Sequence, residues 1–210
     1  MRQLCLAGLW NARGVHNTAL HRAKLSTIMG WGRLAKCDFL ALTETHTTDQ
    51  DNPLANPVFT RKYLVAYANA PTKAAGVALI ALNQKLKVVP IATGLAGRLL
   101  VAQVVDQESQ DSIKVGVLYA MDSGKGDAAM KQFFNQCWPL LPVDLDLLLG
   151  DFNVALRQED ASHSKHARPR RALAALLEHL GLADIAPEGA SHTILLYYII
   201  VSKKIITFKL

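Results

Sequence analysis

Cysteine is scarce in this chain: Cys5, Cys37 and Cys137 are the only three, and they lie far apart. An odd number at such spacing builds neither a disulfide framework nor a zinc site. It predicts reduced, buried thiols in an intracellular protein. Long apolar runs are missing too: none approaches the roughly 20 residues of a membrane-spanning helix, so no membrane partner is expected. The apolar run after Arg2 is too short to be a secretory signal before Trp10-Asn11-Ala12-Arg13-Gly14. No internal repeat and no Gly/Ser-rich linker marks a domain boundary. Charged residues make up only 19% of the chain and hydrophobic ones 50%, which excludes a disordered polymer. At 210 residues the chain is most simply one domain with a substantial core. Its net charge of +6 suits a polyanionic partner without requiring one.

What is present is a set of short apolar runs that stop at polar residues. "LCLAGLWN" runs into Asn11, "DFLALTE" into Glu44, "IKVGVLY" into Tyr119, and "LDLLLGDFN" into Asp151 and Asn153. Such runs, closed by turn residues, predict buried strands. "GVALIAL" (76–82), "LKVVPI" (86–91) and "RLLVAQVV" (98–105) predict further strands with no evident chemistry. Helical spacing links Leu20, Leu25, Ile28, Trp31 and Leu34 between residues 18 and 36. A second helix opens at Asp127 and carries Met130, Phe133, Phe134 and Cys137. A third begins at Pro169, stacks Leu173, Leu176, Leu177 and Leu180, and ends at Gly181. Strands mixed with helices predict a layered α/β (α+β) domain.

In such domains ligand sites gather at the carboxyl ends of strands, where Asn11, Glu44, Tyr119, Asp151 and Asn153 all fall. If strand alternation persists through 151–153, Asp151 and Asn153 share a face. A buried carboxylate without a partner costs several kcal/mol, so the pair should line a cleft or be bound. Two carboxylates with nearby carboxamides form a hard-oxygen environment suited to Mg²⁺ or Mn²⁺. A second carboxylate can orient or deprotonate water, and a phenol can donate to a phosphate oxygen. The combination suits hydrolysis of a phosphodiester or phosphomonoester.

In order, "LWNARG", "FLALTETH", "AGVALIA", "VGVLYA" and "LLLGDFNV" resemble the endonuclease/exonuclease/phosphatase family, the fold of apurinic endonucleases and DNase I. The proportions are most similar to endonuclease domains of non-LTR retrotransposons. "EDASHSKHARPRRALAALLEHLGLAD" resembles the basic stretch, helix and Leu-x-Asp that follow in that family, and the likeness covers about residues 4–193. The resemblance implies two packed mixed β-sheets flanked by helices, a DNase I-like four-layer sandwich. It implies metal-dependent phosphodiester hydrolysis of DNA in an intracellular, nuclear setting. Asn11 and Glu44 would hold Mg²⁺ or Mn²⁺, with Glu44 the direct ligand. Tyr119 would contact the scissile phosphate, Asp151 would position or activate water, and Asn153 would bond to the phosphate. Arg13 stands where the apurinic-endonuclease branch often has an acid, which weighs against abasic-site repair. Arg13, Arg168, Arg170 and Arg171 are candidate nucleic-acid contacts, since clustered Lys and Arg dominate non-specific affinity. As a solvated loop before a helix, 163–171 needs no function, and His163 and His166 lack partners at metal-ligand spacing.

The family pattern ends in a Ser-Arg-Ile-Asp-like strand and a terminal Asp-His pair. Here "SHT" at 191–193 is followed by "ILLYYIIVSKKIITFKL", which contains no Asp, Glu or His. That stretch holds five isoleucines, as many as the whole preceding chain, and no Ala or Gly. The expectation is a family-like domain over 1–193, incomplete at its carboxyl end, with an unrelated or divergent tail over 194–210. The divergent alternative is a final hairpin that still packs. Loss of the Asp-His pair predicts impaired or lost catalysis. Other readings remain: a non-catalytic nucleic-acid-binding fragment, or a phosphatase or phosphodiesterase of the same fold acting on a lipid, an inositol phosphate or RNA.

Overall fold

The computed structural model describes residues 7–16, 18–154, 167–184 and 197–202. In chain order its elements are β1 (Ala7–Asn11), α1 (Ala19–Leu34), β2 (Phe39–Thr43), a 3-10 turn (Pro53–Ala55), α2 (Pro57–Thr60) and β3 (Val65–Ala68). Then follow β4 (Val77–Ala81), β5 (Leu86–Gly94), β6 (Leu99–Asp106), β7 (Ser112–Tyr119), α3 (Asp127–Cys137) and β8 (Leu147–Asp151). The last are α4 (Ala167–His179), β9 (Leu182–Asp184) and β10 (Tyr197–Ser202).

The strands form two mixed sheets, one in the order β1-β2-β4-β3 and the other β5-β6-β7-β8-β10-β9. Each sheet holds one parallel pair, β1 with β2 and β7 with β8. Parallel neighbours need a long crossover. Here α1 carries the chain from β1 to β2, and α3 carries it from β7 to β8. Both strands of each pair therefore end at the same edge of their sheet.

Period-two alternation builds the layers. Phe39 and Ala41 of β2, and Val77 and Leu79 of β4, face Val115, Val117, Leu147 and Leu149 in a core between the sheets. The alternate residues face outward. Leu40, Leu42, Ala78 and Ile80 pack under Leu25, Ile28 and Met29 of α1. Leu118 and Leu148 pack under Phe133 and Phe134 of α3 and Leu173, Leu176 and Leu177 of α4. Three apolar layers between four structural layers give the helix–sheet–sheet–helix sandwich.

The face of α1 differs from the expected one. Leu25, Ile28, Met29 and Gly32 are buried, whereas Leu20 and Leu34 are 76% and 87% exposed. At about 3.6 residues per turn, Leu20 and Leu34 fall on the side opposite that stripe. Thr18 caps the helix, its hydroxyl accepting from the His21 N–H at 3.3 Å. The third helix starts at Ala167, ahead of Pro169, which sits in the first turn where no N–H is needed. Gly181, at φ +63°, follows its end.

Leu4–Leu6 of the first predicted strand, and Cys5 with them, lie outside the described residues, as do 155–166 with His163 and His166. Cys37 and Cys137 are buried free thiols. Burial raises both pKa values, that of Cys137 to about 12, so neither is a ready nucleophile. Among the described residues, no helix is long and apolar enough to cross a membrane. Part of the compositionally distinct segment 194–210 is a strand. β10 runs antiparallel between β8 and β9, with Tyr197 opposite Asp151 and Val201 opposite Leu147. Residues 194–196 and 203–210 lie outside the described residues.

Gly150 interrupts the leucine run of β8 for a steric reason. A Cβ there would sit 2.1 Å from the Leu118 carbonyl oxygen of β7, a backbone atom that cannot swing aside. Gly30 in α1 has nothing within 4 Å of its would-be Cβ. Gly30→Ala should therefore stabilise the protein by up to about 1 kcal/mol, through helix propensity. Gly150→Ala should destabilise it by roughly 2 kcal/mol or more, as overpacking does when the backbone must shift. Urea unfolding of both variants checks the pair, and equal midpoints would contradict the β7–β8 packing.

Candidate active site

The inward rows of the two parallel pairs each end in a polar residue. Ala7 and Leu9 lead to Asn11, and Phe39 and Ala41 lead to Thr43. Val115 and Val117 lead to Tyr119, and Leu147 and Leu149 lead to Asp151. The inter-sheet core thus closes in a polar rim at one edge. Glu44, one residue past β2, joins that rim.

The contacts within it are short. The Asn11 carboxamide donates to Glu44 Oε1 at 2.7 Å, and its oxygen accepts the Arg13 N–H at 3.0 Å. Asn11 also lies within interaction range of Asp151, and the Tyr119 phenol within range of Glu44. His46 Nε2 lies 3.8 Å from Glu44 Oε2. Asp151 is only 8% exposed. Burial raises its pKa to about 6, with the Glu44 and Asp122 charges adding to the shift. The Asn153 N–H, donating at 3.1 Å, and Asn11 oppose it. Burial first, and then the Glu44 charge, lift the Tyr119 phenol to about 12, so at neutral pH it is a hydrogen-bond donor.

The turns that deliver these groups are conformationally unusual. Arg13, Glu44, His46 and Asn153 all have positive φ, between 44° and 55°, a region non-glycine residues enter at a cost of order 1 kcal/mol. Backbone bonds on both sides hold the Glu44 segment in place. Gly14 N–H donates to Glu44 O at 2.8 Å, and His46 N–H to Ala75 O at 2.7 Å. Gly76 makes the second contact possible. It has φ +110°, and a Cβ there would lie 2.2 Å from Thr45 Oγ1. The strand alternation expected through 151–153 does not persist, because β8 ends at Asp151. Asn153 turns back instead, its N–H bonding to the Asp151 carboxylate and its Nδ2 to Ala120 O at 3.2 Å.

Asn11, Glu44, Tyr119, Asp151 and Asn153 are therefore brought together. Arg13 contributes backbone to the rim, and its side chain is exposed. Arg170 is half-buried and Arg171 exposed on α4, and the side chain of Arg168 lies outside the described residues.

Sequence reasoning missed several neighbours. "RLLVAQVV" opens with a neighbour of the rim. The Arg98 guanidinium lies 4.8 Å from the centre of the Tyr119 ring and donates to Ala120 O at 3.2 Å. Only the β6–β7 register, which pairs Leu99 with Leu118, brings Arg98 to Tyr119. Thr43 is fully buried, and its hydroxyl has no hydrogen-bond partner among the described residues. Asp122, from the loop after β7, adds negative charge near Asp151. Behind His46 stands His16, with ring centres 6.4 Å apart and Asp51 3.6 Å beyond.

Among solved structures the chain is similar to an AP endonuclease from Archaeoglobus fulgidus, with a TM-score of 0.68 and 19% identity over 95% of this chain and 87% of that one. An AP endonuclease from Leishmania major matches with a TM-score of 0.67 and 16% identity, over 96% and 80%. A Neisseria 3′ phosphatase bound to product DNA hairpin matches at 0.61 and 18%, over 94% and 86%. No protein family and no curated protein matches the chain by sequence. At these identities the likeness defines the fold, which is the DNase I-like two-sheet sandwich.

Folding raises the pKa of Asp151 from 3.8 to about 6, so the folded state holds this proton more tightly than the unfolded chain. The group's contribution is then full at low pH and is lost as pH rises through about 6. In metal-free denaturant titrations, Asp151→Asn should gain stability relative to the parent between acidic and neutral pH, by on the order of 2 kcal/mol. A difference between the two proteins that stays constant across that window would show that Asp151 is not held in a desolvated site.

Proposed function

We propose that this chain is a metal-dependent phosphodiester hydrolase of the endonuclease type, with DNA as its substrate. The observation that carries the proposal is the convergence of Asn11, Glu44, Tyr119 and Asp151 at the carboxyl edge of the two parallel strand pairs. The similar structures named above include two AP endonucleases and a phosphatase bound to a DNA hairpin, which favours DNA among phosphate substrates.

The donor set fits Mg²⁺ or Mn²⁺. Its groups are hard oxygens, and Glu44 and Asp151 lie close enough to raise the Asp151 pKa. Among the described residues, no group of three or more His, Cys, Asp or Glu side chains is placed to hold a metal ion. Mg²⁺ needs none, because it is commonly held by one or two carboxylates with water and substrate phosphate. Glu44 would be the direct ligand, oriented by Asn11. Such an ion, when bound, would neutralise a phosphate oxygen and stabilise the departing oxyanion.

The chain's own groups supply the rest. Protonated Tyr119, braced by Arg98, would donate to a non-bridging phosphate oxygen. Asp151 would hold the attacking water and accept its proton, and a pKa near neutrality suits that role. Asn153, fixed by its bonds to Asp151 and Ala120, would contact the phosphate. Exposed Arg13 at the rim, with Arg168, Arg170 and Arg171 near the start of α4, would meet the DNA backbone.

The absence of Asp, Glu and His from 194–210 extends the proposal. On this reading the family-like domain covers 1–193 and is most akin to retrotransposon nicking endonucleases, and residues 194–210 supply no Asp-His pair to complete its acid–base machinery. It should bind DNA in a salt-dependent way and cleave it poorly.

Thermal melts test the metal. Mg²⁺ or Mn²⁺ should raise the unfolding midpoint by linkage, and Glu44→Gln should lose most of that rise. Equal rises in both proteins would remove Glu44 as ligand. Plasmid nicking tests the chemistry. The chain as it stands should nick supercoiled DNA negligibly. Replacing the residues after Thr193 with an ending that carries Ser-Arg-Ile-Asp and Ser-Asp-His should raise Mg²⁺-dependent nicking by roughly two or more orders of magnitude. Asp151→Ala should abolish it again. Robust nicking by the unrepaired chain, lost in Asp151→Ala, would show that the missing pair is dispensable.

A further inference from the structure

A groove of about 440 Å³ opens on the outer side of the smaller sheet, between α1 and the segment that contains α2. The rim just described lies on the inner face of that sheet, so the groove is a separate feature. Its floor is apolar, made by Leu25 and Met29 of α1. Phe59 and Tyr63 form an aromatic wall, with ring centres 4.9 Å apart. Arg22, Arg33 and Lys62 bring three cations to it, and among the described residues no carboxylate lines it.

The charge asymmetry extends beyond the lining. Residues 12–37 contain no Asp or Glu, nor do residues 52–105, so the two segments that build the groove are wholly free of acid. Arg33 is held ready. Its guanidinium donates to the Tyr63 hydroxyl at 2.6 Å and lies 5.7 Å from the centre of that ring, while Nε donates to Met29 O at 3.3 Å. The volume is that of a small-ligand pocket, within the range of about 300–1,000 Å³.

We infer that this groove is a second nucleic-acid site, which takes one or two nucleotides of a single strand with the base against Phe59 and Tyr63 and the phosphate at Arg33 and Lys62. Stacking aromatics beside a cationic track are the two elements of sequence-tolerant single-strand binding. A peptide fits less well. The groove walls are largely helical, their backbone groups are spent internally, and an extended peptide's amides would find no ladder to join. A nucleotide needs only a π-face and cations. The inference rests on the reading of this chain as one that acts on nucleic acid, and its test separates the two.

The measurement is fluorescence anisotropy of a labelled oligothymidylate of about ten units with the full chain, metal-free and at low salt. The variant pair Arg33→Glu with Lys62→Glu is compared with a charge-matched control, Lys87→Glu with Lys131→Glu, whose lysines are exposed and outside the groove. The groove pair should weaken binding roughly tenfold more than the control pair. Phe59→Ala should weaken it several-fold without changing its salt dependence, as lost stacking does. Exposed Lys62→Glu alone, a change no fold would notice, should lower the salt dependence by about one ion. Equal weakening by the groove and control pairs would overturn the inference. So would an acidic Glu/Phe peptide that binds the parent and not the groove pair, while oligothymidylate binds both alike, because it would assign the groove to a protein partner. In the chain repaired after Thr193, the groove pair should still nick plasmid. Oligothymidylate binding that depends on the groove, in a repaired chain that never nicks, would sink the cleft reading and leave this one standing.

Discussion

The close packing of two parallel strand pairs, one from each sheet, sets the rest of the structure. Each pair returns through a helix, so its two strands run the same way and end at one edge. Alternation then sorts every side chain in those strands. Odd-numbered positions from Ala7 to Asn11, Phe39 to Thr43, Val115 to Tyr119 and Leu147 to Asp151 all face the space between the sheets. That space is hydrocarbon until its last step, where four polar side chains meet. The polar rim is the top of the same core that holds the sheets together, and its groups cannot move apart without opening that core.

This origin explains the electrostatics. Asp151 is desolvated because Leu147 and Leu149 below it belong to the buried row, and burial outweighs the hydrogen bonds that favour its charge. Tyr119 is pushed the other way from reactivity, towards a firmly protonated donor. One environment thus yields a carboxylate poised near neutral pH and a phenol that keeps its proton. The left-handed turns at Arg13, Glu44, His46 and Asn153 are the cost of bending three chain segments over the rim. They persist because backbone bonds to residues 12–15 and 75–76 hold the middle segment on both sides.

The outer faces obey different demands. They carry helices. The acid-free α1 and the 53–63 segment lie on the outside of the smaller sheet, while Glu44, Asp122 and Asp151 concentrate negative charge at the rim. A strand of nucleic acid would meet cations along the flank, and at the rim it would meet carboxylates that a divalent ion must first neutralise. On the proposed reading, basic track and acidic cleft would make separable contributions, one to holding a polyanion and the other to reacting with it.

Much of this was legible in the residues themselves. Seven of the strands and three of the helices follow from apolar runs and helical spacing, because burial on one or both faces imposes a period that composition displays. Ending those runs at Asn11, Tyr119 and Asp151 also marked the rim. β3 (Val65–Ala68) and α2 (Pro57–Thr60) gave no such signal, being too short for a period to emerge, and the exposed Leu20 and Leu34 misdirected the face of α1. Sequence alone determined which strands are buried and which polar residues close them, since both are local consequences of side-chain type. Pairing decided the rest: which strands run parallel, that Arg98 lies against Tyr119 across a hairpin register, and that Asn153 folds back on Asp151. Those relations depend on hydrogen bonds between segments distant in the chain or on a turn that breaks the strand's period, and no spacing within a single run encodes them.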